Sequence, residues 1–329
     1  MKDPNEIQEK LFKGDRRALA KAITLIESQK EEDRNSADII LKKALTKRGK
    51  SLRIGISGIP GVGKSSFIEV LGLKLIEKGY KVAVLAVDPS SPISGGSILG
   101  DKTRMEELSQ SPNAFIRPSP TTGSLGGVAN KTRESIYLCE SAGYDLIIVE
   151  TVGVGQSEYQ VASMVDLFMV LMVPNAGDEL QGIKKGIIEL ADLLIINKAD
   201  GETKILAENA KTTYQNALQI IKKEKFWNPE VLTCSSLEKT GFKEVLESIE
   251  SFNNKAQKND HLITLRKKQT ESWLTHLFHQ TLNENIKQNK EVNKTFNEIE
   301  SEVIDGKLTA REGALKMIKE LKNNLIMKS

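Results

Sequence analysis

Eight residues, Gly58-Ile59-Pro60-Gly61-Val62-Gly63-Lys64-Ser65, set three glycines, a lysine and a hydroxyl at the spacing GxxxxGK[ST]. That set of residue types can cradle a phosphate chain. The glycines let backbone N–H groups turn inward, Lys64 puts a point charge against the outer phosphate oxygens, and the Ser65 hydroxyl can ligate Mg²⁺. Ser66 continues the same stretch. A nucleoside triphosphate is the expected ligand, provided a strand runs into the loop and a helix runs out of it. The apolar run Leu52 to Ile56 and the helical spacing of Phe67, Val70, Leu71 and Leu75 supply both. Without them the stretch would read as a glycine-rich turn.

Carboxylates that could complete a hydrolytic site follow other apolar runs. Tyr144 to Val149 leads into Glu150-Thr151-Val152-Gly153-Val154-Gly155-Gln156-Ser157-Glu158. A carboxylate at a strand end can approach Mg²⁺, and the Gly153 N–H can sense a γ-phosphate. Val154 stands where some small GTPases carry a water-positioning glutamine, so slow intrinsic hydrolysis, accelerated by a partner, is expected. Asp88, in Asp88-Pro89-Ser90-Ser91-Pro92, either serves the metal and its attacking water or forms a turn before proline. The glycine-rich stretch Gly95 to Met105 carries Asp101, a candidate partner for waters around Mg²⁺. It also carries Thr103 and Arg104, which could face phosphate or cap a helix. Catalytic candidates are thus Lys64, Asp88, Asp101 and Glu150; metal candidates are Ser65, Asp88, Asp101 and Glu150.

The base is read from Asn197-Lys198-Ala199-Asp200, an NKxD pattern. A carboxylate accepts two N–H donors from guanine, at N1 and the 2-amino group, which adenine does not offer, and the Lys198 stem can lie along the ring. Ser235, Ser236 and Leu237, after the last apolar strand, could close the base pocket through backbone N–H groups. The expected ligands are therefore GTP, GDP and Mg²⁺. Two further polar stretches sit at strand ends. Thr121 to Gly127 suits an active-site loop or a plain connector, and Pro174 to Gly186 carries Asp178, Gln181 and Lys184, which could couple nucleotide state to a partner.

Seven apolar runs must position these residues: Leu52 to Ile56, Val82 to Val87, Ala114 to Ile116, Leu146 to Val149, Leu167 to Val173, Leu193 to Ile196 and Val231 to Thr233. Several are nearly continuous in Val, Ile and Leu, as strands buried on both faces of a parallel sheet are, and the helical patterns between them supply the crossovers. The expected fold is α/β: a P-loop NTPase with a mainly parallel sheet flanked by helices, plus helical N- and C-terminal extensions. Functional residues then collect at the carboxyl ends of the strands. Leu11, Leu19, Ile23, Ile26, Ile39, Ile40 and Leu45 mark amphipathic helices in residues 1–50, ahead of a nucleotide domain over 51–255. Residues 256–329 read as a helical arm, with Leu262, Leu265, Trp273, Leu274, Leu277 and Phe278 at helical spacing and a capped last helix from Ala310 to Leu325. We expect that arm to make a homodimer.

Composition narrows the function classes. A chain of 329 residues with 39% hydrophobic residues can bury a large core, and a net charge of +3 without a basic stripe argues against nucleic acid. No run reaches the roughly 18 apolar residues of a membrane span. The N-terminus is charged, and Cys139 and Cys234 are far apart within apolar surroundings, so a reducing cytoplasm is expected. His276 and His279 lie one helical turn apart but have no evident third ligand, and a surface or packing role is expected.

Taken together, the phosphate-loop string, Val87 to Pro92, Gly95 to Met105, Glu150 to Glu158, Gly177 to Gly186 and Asn197 to Asp200 resemble the MeaB/ArgK-type G-protein chaperones of adenosylcobalamin-dependent acyl-CoA mutases, methylmalonyl-CoA mutase in particular. The resemblance covers most of the chain. It implies a dimeric GTPase whose cycle gates cofactor loading and protects the mutase, with a cobalamin adenosyltransferase as a further partner. It also implies that Lys64 and Ser65 meet phosphate and Mg²⁺, that Asp88, Asp101 and Glu150 surround the metal and water, that Asn197, Lys198 and Asp200 hold guanine, and that Asp178, Gln181 and Lys184 belong to a mutase-responsive switch. Ser236 departs from the alanine expected there. A small-molecule kinase is the alternative, disfavoured by guanine selectivity and the lack of an evident acceptor pocket. Nickel insertion would require a His- or Cys-rich tract, whereas three histidines and two cysteines are scattered.

Overall fold

The computed structural model describes residues 3–47, 49–87, 105–118, 125–151, 157–174, 185–220 and 226–326. All seven expected strands form: β1 (Leu52–Gly58), β2 (Val82–Val87), β3 (Ala114–Arg117), β4 (Leu146–Thr151), β5 (Leu167–Met172), β6 (Leu193–Ile196) and β7 (Glu230–Thr233). They build one sheet in the order β3-β2-β4-β1-β5-β6-β7, and every pairing is parallel. From β1 the chain winds to one side through β2 and β3. It returns through β4 and then crosses to β5, β6 and β7 on the other side. The carboxyl ends of β1 and β4 therefore lie side by side where the winding reverses, which is where open α/β sheets bind ligands.

The alternation of side chains along each strand divides the core into two layers. Ala83, Leu85, Ile147, Val149, Phe168 and Val170 face one side, and Val82, Val84, Ile54, Ile56, Ile148 and Met169 face the other. Helices cover both layers. On the second, α4 (Lys64–Glu77) buries Phe67, Ile68 and Leu71. On the first lies α6 (Leu125–Ser141), which buries Ile136, Leu138 and Cys139.

Three N-terminal helices, α1 (Pro4–Phe12), α2 (Arg16–Glu27) and α3 (Glu31–Ala44), pack on α6. Their Leu11, Leu19, Ile23 and Ile40 join the same layer as the sheet. Asp15 fixes the start of α2 by accepting from the Ala18 N–H at 2.8 Å. The remaining helices are α5 (Glu106–Gln110), α7 (Ser157–Ala162), α8 (Lys185–Leu190), α9 (Lys204–Ile220), α10 (Phe242–Lys258), α11 (His261–Gln288), α12 (Lys290–Ile304) and α13 (Ala310–Ile326).

The chain divides into two compact units, Met1–Leu265 and Arg266–Ser329. The second is all helical. Within it α12 and α13 pack closely because Gly313 has no side chain; a Cβ there would come within 2.6 Å of Val303 Cγ2. Thr309 and Glu312 form a reciprocal cap at the start of α13: the Thr309 N–H donates to Glu312 Oε2 at 2.9 Å and the Glu312 N–H to Thr309 Oγ1 at 3.2 Å.

Candidate nucleotide site

The loop between β1 and α4 owes its shape to its glycines. Gly58 ends β1 so close to β5 that a Cβ would lie 2.6 Å from the Leu171 carbonyl oxygen. Gly63 turns through φ 91° and stands where a Cβ would meet Asn197 Nδ2 at 2.8 Å. No L side chain fits either place without moving backbone or a hydrogen-bonded amide. Between them Ile59 is partly buried, Pro60 and Gly61 are exposed, and Val62 anchors the loop in the core with no exposure.

The next helix, α4, begins at Lys64 with no side-chain cap and no acidic residue in its first turn. The N–H groups and positive dipole end of that first turn suit an anion. Lys64 is buried, and its Nζ donates to Gly58 O at 2.8 Å and Ile59 O at 3.3 Å, folded over its own loop. Ser65 is partly buried beside it and Ser66 is exposed.

Sheet register brings in the carboxylate. Ile56 of β1 pairs with Glu150 of β4, so a residue 85 positions beyond Ser65 arrives next to the loop. Strand β4 continues through Thr151, which makes Glu150 its penultimate residue rather than the first one beyond it. Glu150 is buried, and the Ser65 hydroxyl stands 3.5 Å from its Oε1, at the outer limit of a hydrogen bond. A hydroxyl and a carboxylate are hard oxygen donors of the kind Mg²⁺ takes. Behind them the buried Thr151 Oγ1 donates to Ser57 Oγ at 3.0 Å, pinning the ends of β4 and β1 together.

The NKxD residues leave the end of β6, and Ser235 to Leu237 leave the end of its neighbour β7, with Ile196 paired to Thr233. Asn197 is almost fully buried and spends its amide on the protein. Its Nδ2 donates to Val62 O at 2.9 Å, and its Oδ1 accepts from the Ser236 N–H at 3.1 Å, Ser236 Oγ at 2.9 Å and Cys234 Sγ at 3.5 Å. It ties the phosphate loop to the loop after β7. The Ser236 hydroxyl does more than fit: it adds a second donor to that tie. Burial pushes the Cys234 thiol up to about 12, so it remains a donor at neutral pH.

Lys198 is exposed and left-handed at φ 60°. Asp200 accepts from the Ser235 hydroxyl on Oδ2, while Ser235 Oγ accepts from the Glu238 N–H at 3.0 Å. That chain of bonds aims the carboxylate. Leu237 is exposed.

The structure thus gathers Gly58 to Ser65, Glu150, Asn197, Asp200, Ser235 and Ser236 along one edge of the sheet. Asp88, Asp101, Gly153, Asp178, Gln181 and Lys184 lie outside the described residues. Two features were not legible locally, the Ser57–Thr151 pin and the use of Asn197 as a strut. Both depend on partners that only the sheet order brings close.

The arrangement agrees with what the chain is similar to. Residues 19–291 match the family described as methylmalonyl Co-A mutase-associated GTPase MeaB. The Mus musculus methylmalonic aciduria type A homolog, mitochondrial, is 44% identical over 95% of this chain and 78% of its own. The GTPase ArgK of Escherichia coli is 48% identical over 80% of both chains. The crystal structure of a protein named LAO/AO transport system kinase superposes with a TM-score of 0.79 at 36% identity, covering 97% of each chain. With a matching family over most of its length and a parallel sheet carrying the phosphate loop, the chain is a P-loop GTPase that belongs to the MeaB family of methylmalonyl Co-A mutase-associated GTPases.

Proposed function

We propose that this GTPase is a partner-controlled chaperone that gates cofactor loading into an adenosylcobalamin-dependent acyl-CoA mutase, methylmalonyl-CoA mutase first among the candidates, and protects it from inactivation. The observation that carries the nucleotide half is the approach of Ser65 to Glu150 at the mouth of the phosphate loop. The client half rests on family membership.

In this reading the N–H groups of Gly58 to Ser65 take the phosphate oxygens, and Lys64 exchanges its loop carbonyls for the outer phosphates. Ser65 and Glu150, with Asp88 and Asp101, would hold Mg²⁺, which when bound neutralises charge on the β- and γ-oxygens. Asp200, aimed by Ser235, accepts the guanine N1 and 2-amino protons. Asn197 keeps the base-reading loop in register with the phosphate loop through Val62. Gly153 senses the γ-phosphate, and Asp178, Gln181 and Lys184 answer to the mutase. Two free, buried cysteines suit the cytoplasm, and no helix among the described residues is long and apolar enough to cross a membrane. We also assign a homodimer and contact with a cobalamin adenosyltransferase.

A pull-down of purified cobalamin-dependent mutases with the protein in its apo, GDP and GTP-analogue forms tests the client. Binding of one mutase, with a rise in GTP turnover, is expected. Binding of none in any nucleotide state ends the chaperone reading. The kinase reading, suggested by the name of the 36% identical structural relative, is separated by whether candidate acceptors take up the phosphate that otherwise appears free.

A further inference from the structure

Helices α7 and α8 are six residues each and lie against one another over the first core layer. Helices this short do not hold themselves in water, so their seats are set by what they pack on. The inner side of α7 rests on β1. Val161 is fully buried there because Gly55 has no side chain; a Cβ at Gly55 would stand 2.9 Å from Val161 Cγ1, 2.9 Å from Val165 Cγ2 and 2.7 Å from Phe168 Cδ2.

The outer side of α7 reaches α8 through Tyr159, which is 49% exposed. A Cβ built on Gly186 would run into the Tyr159 hydroxyl and lie 3.1 Å from the ring carbon bearing it. The hydroxyl occupies the place a side chain on α8 would need, with the ring in contact behind it. So α7 is held between two glycines, Gly55 on the strand that leads into the phosphate loop and Gly186 on α8.

Chain connectivity gives this seat its meaning. The segment that leaves the sheet after Glu150 and Thr151 ends in α7, and the segment holding Asp178, Gln181 and Lys184 ends in α8. We infer that Tyr159 is a positioning residue for GTP hydrolysis: its contact with Gly186 makes the seat of α7, and with it the far end of the Glu150 segment, follow the position of α8. A molecule that engages residues 178–184 then acts on the nucleotide through this side chain. The direction of that coupling rests on the proposed role of residues 178–184, whereas the coupling itself belongs to the protein alone.

The test is a double-mutant cycle on the full chain, since spatial closeness alone does not establish coupling. GTP turnover without any partner, nucleotide affinity and melting temperature are measured for wild type, Tyr159→Phe, Tyr159→Ala, Gly186→Ala and the Tyr159→Ala/Gly186→Ala pair. Each alanine variant is expected to lower kcat about threefold to tenfold with nucleotide affinity held within about twofold, and the pair to be no worse than the poorer single. Tyr159→Phe, which removes the hydroxyl that fills the place beside Gly186 but keeps the ring behind it, should lower kcat less than Tyr159→Ala does. An unchanged kcat in Tyr159→Ala, penalties that multiply in the pair, or a kcat that falls only in step with affinity and melting temperature overturns the inference. Because these rates are taken without a mutase, failure of every mutase to bind would remove the client reading and leave this one standing or falling by itself.

Discussion

At the scale of single residues, the site separates into groups that would meet the nucleotide and groups that hold those in place. Asp200 is of the first kind and Asn197, judged by its four protein bonds, does much of the second. Asp200→Asn puts an amide where guanine needs a carboxylate, so at least one N–H would face another N–H or go unpaired. A bond to a charged group is worth about 1.5–3 kcal/mol, so GTP affinity should fall about 100-fold. A base with a carbonyl in place of the 2-amino group would meet the new amide's donor, and xanthosine triphosphate should bind the variant better than GTP does. Fluorescence titration with both nucleotides checks it; equal loss of both would mean that Asp200 acts on the fold, not on the base. The residue types that make this prediction were legible from spacing alone. The direction in which each side chain is held was not, because Ser235 and Val62 are 35 and 135 positions from the residues they bond.

At the scale of elements, the seven strands were readable because a strand covered on both faces must be apolar at nearly every position. The exceptions mark what was unreadable. Arg53 sits inside β1, buried, with its Nε 2.8 Å from Glu140 Oε1 on α6 and its backbone N–H bonded to Asp166. A lone arginine in an apolar run gives no hint of a partner 87 residues away. The short helices α5, α7 and α8 span too few residues for a helical period to show.

The contact between α3 and α6 was likewise hidden, and it carries a pH prediction. Glu134 on α6 is pushed up to about 7, first by burial, partly offset by Arg34, with Asp38 adding to it and Lys131 opposing it. Its ordinary value is 4.5. Below that value both the folded and the unfolded chain hold the proton. Between there and about 7 only the folded chain does, so this site's stabilisation is lost as pH rises. The loss is on the order of 1–3 kcal/mol by pH 8. Melting temperatures at pH 5 and pH 8 should therefore differ less in Glu134→Gln than in wild type. An identical pH dependence in both would show that Glu134 ionises freely in the fold.

At the scale of the whole molecule, the two units differ in how well they cover themselves. The first buries two continuous layers. Among the described residues of the second, Val292 and Ile299 are the buried apolar side chains, while Leu274, Phe278, Leu282, Ile304, Leu315 and Ile318 are exposed. Leu274, Phe278 and Leu282 follow one another at four-residue steps on α11, which sets them in a stripe on one face of that helix. In the homodimer proposed above, a stripe of this kind is a surface the second copy would cover, and a two-fold contact would use each residue twice. Burying a Leu or Phe contributes about 1.5–3 kcal/mol, so removing two per protomer withdraws most of the roughly 8 kcal/mol that holds a micromolar dimer. Leu274→Glu with Phe278→Glu in the full chain should convert a dimer into a monomer by light scattering at micromolar concentration. GTP turnover should stay within about twofold, because the nucleotide residues all lie in the first unit. A wild type that is monomeric, or a double variant that stays dimeric, would remove this stripe from the interface.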